Sequence, residues 1–386
     1  MKLDEAIGKL KELQAKQVAY NQAMAMLSFD GATTAPKNSF ECRGMTLSFL
    51  SGEVYKSFIN KETDELLDYL LGNKDSLDQI TFRIAEEGRD EFDKTSRIPM
   101  QEFMEFMQLQ NDANHVWEMA KRANDFASFK PYLAKIVDFK KRFANYRNPE
   151  KKPYNVFLDD FEKGYSMDDY DAFFSVLKEN IVPLIHEAVP LGKSIRDGFL
   201  KISYPVDKQK QLSEKLVQIM RLDPASFAMA ESEHPFTMGI NKKDVRFTTH
   251  YYENNLVSAF YSTIHEGGHA MYELNTADDL IYTGLDSGAS LGMHESQSRF
   301  YENIIGRSKE FTSYIHPYIR GLFPSQFEDV TADDFYRAVN KPEATLVRVE
   351  ADGAFEAAGH GLRPASSWQR SWRPAPQPET PAQCPG

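Results

Sequence analysis

The stretch that decides how this chain is read runs Leu256-Val257-Ser258-Ala259-Phe260-Tyr261-Ser262-Thr263-Ile264-His265-Glu266-Gly267-Gly268-His269-Ala270-Met271-Tyr272-Glu273-Leu274. Leu256, Phe260, Ile264, Gly267, Met271 and Leu274 recur at helical spacing and form one stripe, the expected buried face. Tyr261, His265, Gly268, His269 and Tyr272 form the adjacent stripe, the expected cleft face. Positions i and i+4 of a helix stand about 5–6 Å apart at their β carbons, so His265 and His269 can reach one divalent ion. Zn²⁺ takes such nitrogen ligands and, in catalytic sites, keeps one position for water; the glutamate after the first histidine then accepts that water's proton. Glu266 stands there. Two neighbouring glycines cost a helix roughly 2 kcal/mol against alanine, so helix stability alone does not account for them. Gly268 is expected to leave room for ion and substrate, and Gly267 to admit close packing behind.

A third ligand is needed. The extended motif with a third histidine is absent, because Tyr272 and Asn275 occupy the positions where it needs glycine and histidine. Gly288 to Arg307, after a turn at Thr283-Gly284-Leu285-Asp286, reads as a second helix on which Leu291, Glu295, Ser298 and Glu302 share a face. Glu295 is the expected ligand and Glu302 the alternative. The plain alternative for Glu295 is an ion pair with Arg299, four residues on. Glu273 lies only one turn beyond His269 and is a poor third ligand.

Outward from this stretch, helical periodicity dominates. Leu3, Ile7, Leu10 and Leu13 make one stripe, and helices are expected over about 42–60, 62–72, 76–95, 97–124, 128–146, 167–190 and 207–221. Ser28 to Glu41, with Gly31 and Pro36, reads as a loop. Phe199 to Tyr204 has a strand-like bias. Asp244 to Tyr252 alternates, with Val245, Phe247, Thr249 and Tyr251 on one face. As an edge strand it could pair with an extended peptide; it could equally only support the helix after it. The fold class is therefore mainly α, a large helical body with a small β-sheet beside the H-E-x-x-H helix.

Composition sets the outer bounds. The 386 residues, 41% of them hydrophobic, can bury a large core. A net charge of −12 with no basic run argues against nucleic acid or an anionic membrane as partner. Two cysteines, Cys42 and Cys384, exclude a disulfide framework and a cysteine-based metal cluster. With no apolar run of bilayer length, the expected setting is cytoplasmic. Residues 353–386 differ in kind: they hold six of the 19 prolines and no Lys, Asn, Asp, Ile, Val, Met or Tyr. They are expected to be a disordered tail without family likeness, joined at Asp352-Gly353 to a domain of residues 1–352; a natural linker is the plain explanation, and a shifted reading frame or a chimeric join the preferred one.

Five motifs in order sharpen the reading: His234-Pro235-Phe236; Asp244-Val245-Arg246-Phe247-Thr248; His265-Glu266-Gly267-Gly268-His269; His294-Glu295-Ser296-Gln297-Ser298; and Val347-Arg348-Val349-Glu350-Ala351-Asp352. With these, residues 1–352 resemble the thermostable carboxypeptidase (carboxypeptidase Taq) metallopeptidases. The resemblance implies a helical fold with a deep groove, usually a homodimer, that removes single residues from peptide carboxyl termini with Zn²⁺ or sometimes Co²⁺. It implies His265, His269 and Glu295 as metal ligands and Glu266 as general base. It implies Arg348 as the group that holds the substrate's terminal carboxylate, and it places His234 and Arg246 near the groove. A planar two-pronged donor suits a carboxylate, although Arg348 could instead pair with Glu350 or Asp352. The family's later helices, including part of the groove wall and dimer contacts, have no counterpart after Asp352. The rival readings are an oligopeptidase with the same metal site and an inactive truncated relic.

Overall fold

The structure is a computed structural model, and it describes residues 2–343. Arg348 and the 353–386 segment lie outside the described residues. The helices in chain order are α1 (Leu3–Thr33), α2 (Phe40–Phe58), α3 (Lys61–Gly72), α4 (Gln79–Ser96), α5 (Met100–Ala123), α6 (Phe126–Arg147), α7 (Pro153–Phe161), α8 (Met167–Gly192) and α9 (Val206–Met220). Strands β1 (Phe227–Glu231), β2 (Thr237–Asn241) and β3 (Asp244–Thr249) follow, then α10 (Leu256–Leu274), α11 (Leu291–Arg299), α12 (Lys309–Leu322) and α13 (Ala332–Val339). None of the described helices is long and apolar enough to cross a membrane.

The chain divides into two compact units. One comprises residues up to Met167 together with Ile195–Lys341 and holds every element of the site below; the other, in its described part, is Asp168–Ser194 with Pro342 and Glu343. The second is essentially α8, whose Phe173, Val176, Leu184 and Leu191 are exposed.

Within the first unit, α10 is the central rod. Asn255 caps its start, accepting a hydrogen bond from the Ser258 N–H at 3.3 Å. Phe260 and Ile264 bury beside Leu212 and Leu216 of α9, Ile315 and Ile319 of α12 and Phe335 of α13. Burying one such side chain contributes about 1.5–3 kcal/mol, so α10 is fixed from three sides. The other flank meets the sheet, where Ala270 joins Val245, Phe247, Val217 and Leu222 in a smaller core. The amino-terminal helices have their own core around Leu10, Leu66, Leu67, Leu70, Ile84 and Phe92.

The sheet order is β1-β3-β2. β1 runs parallel to β3 from Phe227↔Val245 to Glu231↔Thr249. β2 runs antiparallel to it from Thr237↔Phe247 to Asn241↔Asp244, with an irregularity between Gly239 and Asn241. Val245, Phe247 and Thr249 are fully buried as expected, but the alternation fails at Thr248, which is on the other face and fully buried too.

Four expectations need correcting. β3 is the central strand and β1 and β2 are the two edges, so strand addition cannot belong to β3. Phe199 to Tyr204 is not a strand: Gly198–Lys201 forms a 3-10 turn that buries Phe199 and Leu200. The expected loop at Ser28–Glu41 shrinks to a short connection, because α1 continues to Thr33 and α2 begins at Phe40. Gly31 costs the helix only about 1 kcal/mol; buried Phe29 anchors that turn, and the Arg43 side chain packs where a Cβ on Gly31 would sit. Finally, helical spacing predicts Phe129, Leu133, Ile136 and Phe139 inward on α6; Ile136, Phe139 and Phe143 do turn toward Phe106, but Leu133 is 39% exposed.

Candidate metal centre

α10 presents His265 and His269 one turn apart, and α11 crosses close enough to bring Glu295 to both. Glu295 Oε2 stands 3.6 Å from His265 Nε2 and 3.2 Å from His269 Nε2. All three ligand atoms lie within 4.8 Å of one another. Donors held about 2.0–2.1 Å from a tetrahedral ion stand about 3.3 Å from each other, and the two measured separations bracket that value. Two imidazole nitrogens and a carboxylate oxygen are a donor set suited to a divalent transition ion. The site residues thus fit a metal.

The crossing is made possible by Gly268. A Cβ there would stand 2.9 Å from the Ser298 backbone and 3.2 Å from the Tyr301 side chain. Its role is therefore close approach of the second ligand helix, not the open space for ion and substrate that its position suggested. Gly267 behaves as expected, lying where a Cβ would meet Met220 at 2.7 Å. Tyr261, expected in the cleft, is 5% exposed and packs in the core. Its hydroxyl donates to the Gly306 carbonyl at 3.4 Å, and the Arg307 guanidinium lies over its ring. Burial pushes its phenol well above the ordinary range.

The second ligand helix also departs from expectation. α11 begins at Leu291, capped by Ser290, rather than at Gly288. After Arg299 the backbone winds as a π-helical turn over Phe300–Gly306. Such wide turns are common at functional sites. Here Glu302 falls within this turn and reaches the other nitrogen of His265, with Nδ1 to Oε2 at 2.9 Å. Arg299 and Arg307 donate to Glu302 at 3.4 and 3.3 Å. Glu302 thus holds the far side of the His265 ring, outside the three-residue cluster. Arg299 also donates to Glu295 Oε1 at 2.8 Å, so the ion pair read from the sequence exists beside the cluster and uses the other carboxylate oxygen.

The charges follow these contacts. Burial opposes a charge on His265, but Glu295 and Glu302 outweigh it and raise its pKa to about 9. Burial also works against an ionised Glu295, yet hydrogen bonds from His265 and His269 hold its carboxyl far below the usual range. Glu302 is lowered in the same way, His265 overcoming its burial. Glu266 is the exception. It is 7% exposed, and burial raises its pKa despite the nearby imidazoles and one hydroxyl. That hydroxyl is Thr237 on β2, which donates to Glu266 Oε2 at 2.7 Å.

Beside the cluster lies a cavity of about 560 Å³. Its walls include the edge strand through Phe236–Asn241, Glu266 and His269 of α10, and Ser287, Gly288 and His294.

The family comparison bears on this arrangement. The profile of the carboxypeptidase Taq (M32) metallopeptidases matches residues 9–355. The chain belongs to the carboxypeptidase Taq family. It is 38% identical over 333 residues to carboxypeptidase 1 of Bacillus subtilis, covering 86% of this chain and 66% of that protein. The crystal structure of BsuCP superposes with a TM-score of 0.89 at 36% identity, over 92% of this chain and 71% of that one. The M32 carboxypeptidase from Deinococcus radiodurans R1 gives 0.83 at 30% identity, over 91% of this chain and 70% of that one. This carboxypeptidase Taq chain therefore spans about two thirds of the length of the curated relatives it matches.

Among the expected site residues, the structure brings His265, Glu266, His269 and Glu295 together. His234 and Arg246 are not among the residues that line the cavity. His234 is exposed, its Nδ1 2.7 Å from the Pro235 carbonyl oxygen. Arg246 makes a two-pronged pair with Asp244 at 2.8 and 2.6 Å and lies over the Phe29 ring. Sequence reading missed Thr237, Glu273 and the His294 ring. Thr237 sits in a strand too short for its alternation to be recognised. Glu273 was weighed only as a ligand, and His294 only as the neighbour of Glu295.

Proposed function

We propose that this chain is a metal-dependent carboxypeptidase that hydrolyses the last peptide bond of peptides with a free carboxyl terminus. The observation that carries the reading is the convergence of His265 Nε2, His269 Nε2 and Glu295 Oε2 beside a cavity that Glu266 also lines. The resident ion is Zn²⁺, with Co²⁺ as the substitute, held by those three residues. When bound, it lowers the pKa of a coordinated water and polarises the scissile carbonyl.

Glu266 does the proton work. Thr237 holds Oε2, which leaves Oε1 as the oxygen that takes the water's proton and later passes it to the leaving amine. Burial of this carboxyl, away from any lysine or arginine hydrogen bond among the described residues, keeps it a usable base rather than a fixed anion. The edge strand β2 lines the cavity along its whole length, and its outer side is the place for an extended peptide to add by backbone hydrogen bonds. Arg348 is assigned the terminal carboxylate on the strength of its motif.

The test uses one peptide in two forms, with a free and with an amidated carboxyl terminus, presented to the Zn²⁺-loaded chain. Cleavage of the free form alone supports the carboxypeptidase. Equal cleavage of both replaces it with an oligopeptidase. A purified chain that takes up no divalent ion at one per protomer overturns the metal reading and leaves the inactive relic.

A further inference from the structure

The two imidazoles of the cluster are oriented by different means. His265 is held at Nδ1 by the Glu302 carboxylate at 2.9 Å. Among the described residues His269 has no such partner: its Nδ1 is buried without a hydrogen bond. The terminal torsion of a histidine is broad and roughly two-fold, and the Glu295 contact at Nε2 leaves the Nδ1 side of this ring without a polar restraint among the described residues.

A third ring restrains its plane. His294 stacks on His269, with centroids 4.5 Å apart and planes 21° from parallel. Tyr272, one turn along α10, flanks the same His294 ring at 5.2 Å. His294 is itself clamped, its Nε2 lying 2.7 Å from Glu273 Oε1. Ser287 Oγ donates to that same oxygen at 2.9 Å. Two glycines make the space. A Cβ on Gly288 would stand 2.8 Å from His294 Cδ2, and one on Gly239 would stand 2.8 Å from Glu273 Oε2. The clamp thus draws on α10, α11, the edge strand and the 287–288 segment, and it accounts for a buried glutamate that proton transfer does not use.

We propose that His294 is the positioning residue of His269: a flat platform, locked by Glu273 and Ser287, that sets the plane of the second metal-ligand ring. The inference rests on the metal reading above. His294 does not itself bind the ion, because its Nε2 is engaged by Glu273 and it lies outside the convergent cluster.

The experiment compares the full chain with His294→Ala, His294→Phe and Glu273→Gln. Zn²⁺ affinity is measured by competition with a chromophoric chelator. The visible spectrum of the Co²⁺-loaded protein reports ligand geometry, and the thermal midpoint of the metal-free protein reports folding. His294→Ala is expected to weaken Zn²⁺ binding by about 10–100-fold, the usual effect of losing an outer partner of a ligand. It should also alter the Co²⁺ spectrum. His294→Phe keeps a flat ring and is expected to recover affinity to within about threefold of the unaltered chain, and Glu273→Gln to fall between. Unchanged affinity and spectrum in His294→Ala overturn the proposal while the metal site stands. Equal weakening by His294→Phe and His294→Ala overturns stacking in favour of direct polar contact. If His294→Ala lowers the metal-free midpoint enough to unfold the chain, the Phe variant and Glu273→Gln still decide. An unaltered chain that binds no Zn²⁺ removes the metal reading and this inference with it.

Discussion

The two walls of the metal centre treat a carboxylate in opposite ways. On the α11 wall, Glu295 meets two imidazoles and a guanidinium, and its carboxyl is driven strongly toward the anion. On the β2 wall, Glu266 is buried with a single hydroxyl, and its carboxyl is driven the other way. Both are glutamates within one small cluster, so residue type does not separate their roles. Their surroundings do. A permanent anion is what a cation needs to be held, and a carboxylate that readily regains a proton is what a water molecule needs to be activated.

The largest test of this contrast removes the charge from each wall in turn. Glu266→Gln keeps the shape and the Thr237 contact; it is expected to retain the metal and lose about 10²–10⁴-fold in turnover. Retained turnover would break the assignment of the β2 wall. Glu295→Gln is expected to show the reverse order of effects, with metal affinity falling by more than the roughly 100-fold that outer-shell losses reach and turnover failing only as a consequence. Metal titration alongside steady-state rates separates the two. Glu302→Gln is next in size. It weakens the hold on the far nitrogen of His265, and metal affinity should fall by about 10–100-fold; no change would mean that Arg299 and Arg307, rather than His265, are its true purpose. The smallest effect belongs to Thr237→Val, which strips the lone donor from Glu266 and should cost about tenfold in turnover with metal affinity intact.

Much of this was legible from spacing alone. The stripes of α10 and of the amino-terminal helices, and the i, i+4 histidines, follow from helical period. Glu295 was placed by phase on a helix whose beginning was read three residues too early. What escaped depended on partners distant in the chain. Nothing local distinguishes a glycine that opens a cleft from one that admits another helix, and Gly268 proved to be the second kind because Ser298 approaches it. Tyr261 belongs to the cleft stripe by spacing, and only the arrival of Arg307 and Gly306 decides that it goes inward. β3 reads as a strand from its alternation, but whether a strand is central or edge depends on partners that its own residues do not name. Phe199 and Leu200 are apolar enough for a strand and bury as a tight turn instead, because Tyr204 and Phe327 provide the pocket.

The paired glycines of α10 have a mechanical corollary. Stripped of side chain at Gly267 and Gly268, the helix is met on one side by the Met220 side chain and on the other by the backbone of Ser298. Two of the three proposed ion-binding residues ride on this rod and the third on its immediate neighbour, so their spacing is set by that close contact. Among the described residues the opposite bank of the hollow is built differently, from the outer strand and the 287–288 segment.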